Sequence, residues 1–183
     1  MPILVSLSTT QAVKIRCLFE TLTPLLVEGT LVFTKDGLKI KGANVQSYAE
    51  VTIPANGEVD YVYNSREQEI CVGLSFETLY SCLSAIGPSD SLKIEITEQS
   101  MIATRPFITI YVFNSELKYG YKSELFQLLI EHNEIESPNT DFSKVVSIAS
   151  NLFLKVLRFS QKRGEAVQIY TRSKMEGKKK KQE

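Results

Sequence analysis

The feature that most limits the fold is a recurrence. An amphipathic helical stripe followed by alternating strands occurs twice along the chain, and a third stripe begins. The first lies between Thr9 and Thr23. At about 100° per residue, Ala12, Ile15, Leu18, Phe19 and Leu22 share one helical face, and Lys14, Arg16, Cys17, Glu20 and Thr21 the other. Thr9 and Thr10 are N-cap candidates, and Pro24 closes the pattern. The second stripe is Phe76, Leu79, Tyr80, Leu83 and Ile86, stopped by Gly87-Pro88. The third starts at Asp141 and carries Phe142, Val145, Val146, Ala149, Leu152, Phe153 and Val156 on one face. Phe76 and Phe142 open their helices 66 residues apart, and the first helix leads the second by a similar interval. That period exceeds those of common solenoid repeats. The pattern therefore predicts an internally duplicated α+β domain rather than an array.

Strand signals fill the intervals. Leu31 to Thr34 and Leu38 to Lys41 flank Asp36-Gly37, a strong hairpin signal. Tyr48 to Ile53 follows, closed by Pro54. Glu69 to Gly73 precedes the second helix, and Ser91 to Thr97 alternates as a half-buried strand does. Phe107 to Phe113 reads as a strand, Leu117 to Tyr121 as one more, and Glu165 to Thr171 follows the third helix.

Charge divides the chain unevenly. Residues 1–141 hold 10 Lys/Arg against 18 Asp/Glu, a net of −8, while residues 142–183 hold 11 against 3, a net of +8. A basic segment of this kind suits a polyanion, although Lys178 to Lys181 alone supply four of its positive charges. That lysine run reads either as a nuclear-import or nucleic-acid tail or as a solvated end. Cys17, Cys71 and Cys82 are odd in number and lack CxxC spacing, which predicts reduced thiols in an intracellular protein. The opening Met1-Pro2-Ile3-Leu4-Val5-Ser6 lacks the basic n-region of a signal peptide, and no run of about 18 apolar residues marks a membrane span. Catalytic signals are absent. The single histidine, His132, lies in a polar stretch, and no HExxH, GxSxG, P-loop or GxGxxG occurs. The carboxylates of Glu58/Asp60 and Glu67/Glu69 read as outward strand faces, so neither an enzyme nor a cofactor or metal site is expected.

The order and spacing of three segments resemble the DNA sliding clamps of the proliferating cell nuclear antigen type. They are Val13 to Leu22 with Gly37-Leu38-Lys39-Ile40-Lys41-Gly42 and Tyr48 to Ile53; Val72 to Phe76 through Leu83 to Gly87 into Ser91 to Ile94; and Phe142 to Val146 with Glu165 to Ile169. The resemblance implies helices lining a ring, sheets on its outside, and two similar domains per protomer. A clamp protomer has four strand–helix units; this chain has two and the start of a third, as a truncated or divergent, viral-type form would. The expected layout is a clamp-like domain over 1–122, a connector over 123–137, a partial second domain over 138–174 and a basic tail over 175–183.

The resemblance implies a non-enzymatic processivity factor, nuclear or at a viral replication site. It would encircle or ride double-stranded DNA, tether a polymerase or other replication factor, and form a homo-oligomeric ring of two or three chains. Lys144, Asn151, Lys155, Arg158 and Lys162 form a basic stripe at helical spacing, which suits phosphate contact without base readout. An ordinary solvated helix face is the alternative. Lys14 and Arg16 lie near DNA-facing positions of clamps, although Arg16 could instead pair with Glu20 at i,i+4. The second helix offers Glu77, Thr78, Ser81 and Ala85 and no positive charge. For client proteins, the connector residues Phe126, Leu128, Leu129 and Ile130, flanked by Ala43, Ser47 and Tyr48, would form an apolar groove; alternatively Leu125 to Ile130 packs as a short helix on its own sheet. Two rival readings stand beside this one: a clamp-fold interaction subunit that closes no ring, and an unrelated α+β enzyme.

Overall fold

The computed structural model describes residues 2–45, 47–129 and 147–161. Contacts divide the chain into one unit over Met1–Pro138 and a second over Asn139–Glu183.

In the first unit the elements run β1 (Ile3–Thr9), α1 (Ala12–Leu22), β2 (Glu28–Thr34), β3 (Gly37–Ala43), β4 (Tyr48–Pro54) and β5 (Asp60–Tyr63). Then come β6 (Glu69–Ser75), α2 (Phe76–Leu83), β7 (Asp90–Thr97), the short α3 (Glu98–Ile102), β8 (Phe107–Asn114) and β9 (Tyr119–Phe126). The strands form two antiparallel sheets, ordered β5-β1-β7-β8-β9 and β4-β3-β2-β6. The duplication is visible in how the repeats exchange strands. β1 opens the first repeat but pairs with β7 of the second, and β6 opens the second but pairs with β2 of the first. Neither half can close its sheet alone, so the two fold as one core. After β4 the chain returns to pair β5 with β1; after β9 it returns to bridge Leu128 with Gly73 of β6.

Local chemistry fixes the ends of these elements. Gly37 takes φ +135° in the β2–β3 turn, and a Cβ there would lie 2.2 Å from the Ile53 carbonyl oxygen, so Asp36-Gly37 makes the hairpin that its sequence predicts. The Ser75 hydroxyl caps α2 by accepting from the Thr78 N–H, and Thr97 and Ser100 form a reciprocal capping box on α3. Ala12, Ile15, Phe19 and Leu22 of α1 and Phe76, Leu79 and Leu83 of α2 are buried, as the helical stripes require. Phe19 meets Phe76 edge-on at 5.5 Å between centroids, an arrangement worth about 1 kcal/mol beyond area burial.

Several expectations change. β1 and β5 are strands that alternation did not single out. Thr9 ends β1 instead of capping α1: its hydroxyl accepts from the Gln11 N–H, and Gln11 is the N-cap residue, without a side-chain cap. Glu98–Ile102 forms a helix where a turn was expected. The strand expected over 117–121 begins at Tyr119, after a turn in which Lys118 takes φ 51°, and runs to Phe126. Residues 123–126 are therefore strand, because Phe107 to Ile110 of β8 pair with them, and Leu125 to Leu128 form no helix.

In the second unit the structure describes one helix, α4 (Ser150–Gln161). Residues 147–149 have no regular structure, so the stripe that begins at Phe142 is not one continuous helix. Residues 165–171 lie outside the described residues. No helix among the described residues is long and apolar enough to cross a membrane.

Candidate nucleic-acid and partner surfaces

α1 and α2 pack side by side and expose a shared polar layer. Its exposed members are Lys14, Cys17, Glu20 and Thr21 of α1 and Glu77, Thr78 and Ser81 of α2, with Ser84 and Ala85 just beyond. Neither cation of this layer stands alone. Lys14 Nζ lies 2.5 Å from the Glu58 carboxylate, and the hydrogen bond and positive charge of Lys14 hold the Glu58 carboxyl below its usual range. Arg16 is only half-exposed. Its guanidinium donates to the Ile86 carbonyl at 2.6 Å, while its buried Nε has no partner. The i,i+4 pair with Glu20 is replaced by this longer-range contact, because α1 turns Arg16 toward the end of α2.

α4 carries the opposite electrostatics. Lys155 and Arg158 are exposed three residues apart, one turn along the helix, with Asn151 exposed one turn before. Ser150–Gln161 contains no acidic residue. Lys144 and Lys162 lie outside the described residues. The irregular stretch at 147–149 means that helical spacing does not relate Lys144 to Lys155. Leu152 and Leu154 are about half exposed on the same helix.

The expected partner residues fall at two margins, the β3–β4 turn and the segment that runs from the end of β9 to its bridge with β6. Ala43 pairs with Tyr48 at the β3–β4 turn. Asn44 closes that turn: its side chain accepts from the Ser47 N–H at 2.7 Å and donates to the Leu25 carbonyl at 2.7 Å. The Tyr48 hydroxyl donates to Glu50. At the other margin, the Leu128 N–H donates to the Gly73 carbonyl at 2.9 Å. Phe126 is half-exposed at the end of β9, edge-on to Phe107 and under the Arg105 guanidinium at 4.8 Å. The row across the sheet runs Leu128, Gly73, Thr30, Lys41, Glu50. Four strand spacings, about 19 Å, therefore separate Leu128 from β4. The structure places the two sets at opposite margins with Gly73, Thr30 and Lys41 between them, rather than as one cluster. Ile130 lies outside the described residues. Leu25, Val27 and Val45 are exposed apolar residues near the β3–β4 turn that periodicity did not flag. The signal was the apolar run Leu25-Leu26-Val27 directly after Pro24, beyond the helical stripe that needs a core face.

The outer face of the five-stranded sheet holds a shallow concavity of about 490 Å³ lined by Ser8, Asp60, Lys93, Glu95, Tyr111 and Phe113. Lys93 pairs with Glu95 and lies over the Tyr111 ring, so this face is internally charge-matched. Among the described residues no group of three His, Cys, Asp or Glu side chains could hold a metal ion.

No protein-family model matches the chain. Its sequence is 34% identical over 87 residues to DNA polymerase sliding clamp 3 of Sulfurisphaera tokodaii, a match covering 46% of this chain and 34% of that protein. It is 23% identical over 157 residues to DNA polymerase sliding clamp 2 of Sulfolobus acidocaldarius, covering 83% of this chain and 58% of the relative. Among solved structures, a PCNA2–PCNA3 complex from Sulfolobus tokodaii superposes with a TM-score of 0.61 at 27% identity, over 75% of this chain and 51% of the matched one. The matched region thus spans roughly a third to somewhat over half of each relative's length.

Proposed function

We propose that the chain, which resembles sliding clamps in sequence and in fold, is a non-catalytic subunit of the PCNA-like clamp family. In this reading it joins other clamp subunits around duplex DNA and holds replication proteins on the template, raising their local concentration there. The observation that carries the reading is the exchanged, duplicated two-sheet unit, which matches a clamp complex at a TM-score of 0.61.

Assembly has a physical basis in two sheet edges. Among the described residues, β4 and β9 each end a sheet and occupy equivalent places in the two repeats. Beside β4 lies an apolar cleft of about 380 Å³ lined by Ile15, Leu18, Ile53, Pro54 and Val59. Beside β9 lies a shallow concavity of about 470 Å³ lined by Thr78, Ser81, Cys82 and Tyr121. An unpaired strand flanked by a helix is a template for a second sheet edge. Copies of this chain, or of related subunits as in the PCNA2–PCNA3 complex, would join there head to tail. Phosphate contact is assigned to Lys155 and Arg158 of α4, with Lys144 and Lys162 on either side of it in sequence. Client anchors would use the apolar residues at the two margins: Phe126 and Leu128 on one, the turn of Ala43, Ser47 and Tyr48 on the other.

Sedimentation at several concentrations tests the assembly. One chain is 20.6 kDa. A species of two or three chains is the expected result for a self-assembling ring. A strict monomer that also fails to associate with related clamp subunits would overturn it. The absence of any free cation on the described α1–α2 layer favours a second reading, a clamp-fold interaction subunit that closes no ring. Capture of replication proteins without any retention on DNA would support that one.

A further inference from the structure

Resting on the clamp reading, we infer that Glu58 masks Lys14, so that the α1–α2 layer offers a duplex no free cation and phosphate contact falls to the second unit. Glu58 is no casual surface neighbour. It comes from the β4–β5 loop, 44 residues beyond Lys14, and its backbone is held there: the Thr9 hydroxyl donates to the Glu58 carbonyl at 3.2 Å. The loop thus delivers a carboxylate to the one exposed lysine of α1. A fully exposed pair of this kind adds little to folding stability. Its consequence is for a third charge. A phosphate approaching Lys14 Nζ meets the Glu58 carboxylate at nearly the same range, and attraction and repulsion largely cancel. Arg16 is removed from competition differently, because its guanidinium is tied to the Ile86 carbonyl in the turn after α2. What the layer then presents is Glu20, Glu77 and hydroxyl groups. α4 by contrast exposes Lys155 and Arg158 with no acid on the helix.

The test is duplex binding by the full chain, followed by fluorescence anisotropy over a salt series that starts low. Each phosphate contact contributes about −0.9 to the slope of log K against log salt. Lys14→Gln is expected to leave the slope unchanged. Glu58→Gln keeps the side-chain shape, frees Lys14, and should steepen the slope by about 0.9. The double variant should return to the original slope, and Glu116→Gln, in the β8–β9 turn, controls for net charge by changing nothing. Flattening by Lys14→Gln alone to the same extent as Lys155→Gln would overturn the inference, as would an unchanged slope in Glu58→Gln. If neither the unaltered chain nor Glu58→Gln binds duplex at any salt concentration, the clamp reading itself fails, which is a different result from a misplaced contact.

Discussion

The Arg16 guanidinium donates to the carbonyl of Ile86, 70 residues further along the chain, and so ties the first helix to the turn that follows the second. Ile86 lies in the turn three residues past the last residue of α2, and the guanidinium supplies its carbonyl with a charged donor. Arg16→Ala should therefore cost about 1–2 kcal/mol, the range of a hydrogen bond to a charged group less what water recovers. Urea unfolding of the two proteins measures it. Equal midpoints would mean that the contact is incidental to the packing of α1 on α2.

Gly29 of β2 sits under the ring of Phe76. A Cβ at this position would lie 2.3 Å from the ring and 2.5 Å from the Lys41 carbonyl oxygen, and the second of these is backbone that cannot step aside. Gly29→Ala must therefore shift β3 or expel the Phe76 ring, which anchors α2 and is fully buried. The expected loss is about 3 kcal/mol, at the upper end for overpacking, with the near-ultraviolet signal of the aromatic core changed. Full retention of both stability and that signal would contradict this account of the β2–α2 contact.

Asp90 is nearly fully buried at the start of β7 and accepts two hydrogen bonds, from the Gly87 N–H at 2.7 Å and from the Asn114 amide at 2.6 Å. It thereby closes the turn after α2 and joins that turn to β8. Asp90→Ala leaves both donors short of an acceptor, at a cost of about 3 kcal/mol. Asp90→Asn keeps an acceptor for one of them and should lose less. Equal losses in the two variants would point to packing, not hydrogen bonding, as the role of this side chain.

These contacts show where sequence legibility ends. The stripes Ala12/Ile15/Phe19 and Phe76/Leu79/Leu83 were readable because helical burial repeats at a local period, and Asp36-Gly37 because the hairpin chemistry is complete within a few residues. β1 was not readable. Its identity as a strand comes from pairing with β7 and β5, distant in sequence. Nor was β5, which is four residues long between polar loops. The candidate site suffered most from the same limit. Lys14 read as a cation on a helix face and Arg16 as either that or the partner of Glu20, and their partners lie 44 and 70 residues away. That Lys155 and Arg158 share a helix without an acidic residue could be read locally, because it depends on no distant partner. The apolar residues at the two sheet margins were individually visible, but the strand order that sets them about 19 Å apart was not.

Alkaline pH should reveal the contact between the two sheets. The Tyr61 hydroxyl, on β5 of one sheet, donates to the Thr34 carbonyl at 2.8 Å in the other, and burial raises its pKa well above the ordinary phenol value. Burial and the neighbouring Glu69 push the Cys71 thiol up to about 11, and Tyr63 and Tyr121 are also raised, chiefly by burial. The unfolded chain releases these protons at ordinary values, about 8.5 for a thiol and about 10 for a phenol. The native state retains them to higher pH and so binds more protons than the unfolded state, which makes stability fall as pH rises. The contribution is fully present at neutral pH and is lost from about pH 9 upward. Urea midpoints measured from neutral pH to pH 11 should show that decline. Tyr61→Phe should cost about 1 kcal/mol at neutral pH through the lost hydrogen bond and should show a shallower decline above pH 9, because one of the retained protons is gone. A variant whose alkaline decline matches that of the unaltered protein would remove Tyr61 from this explanation and leave the thiol and the other two phenols to account for it.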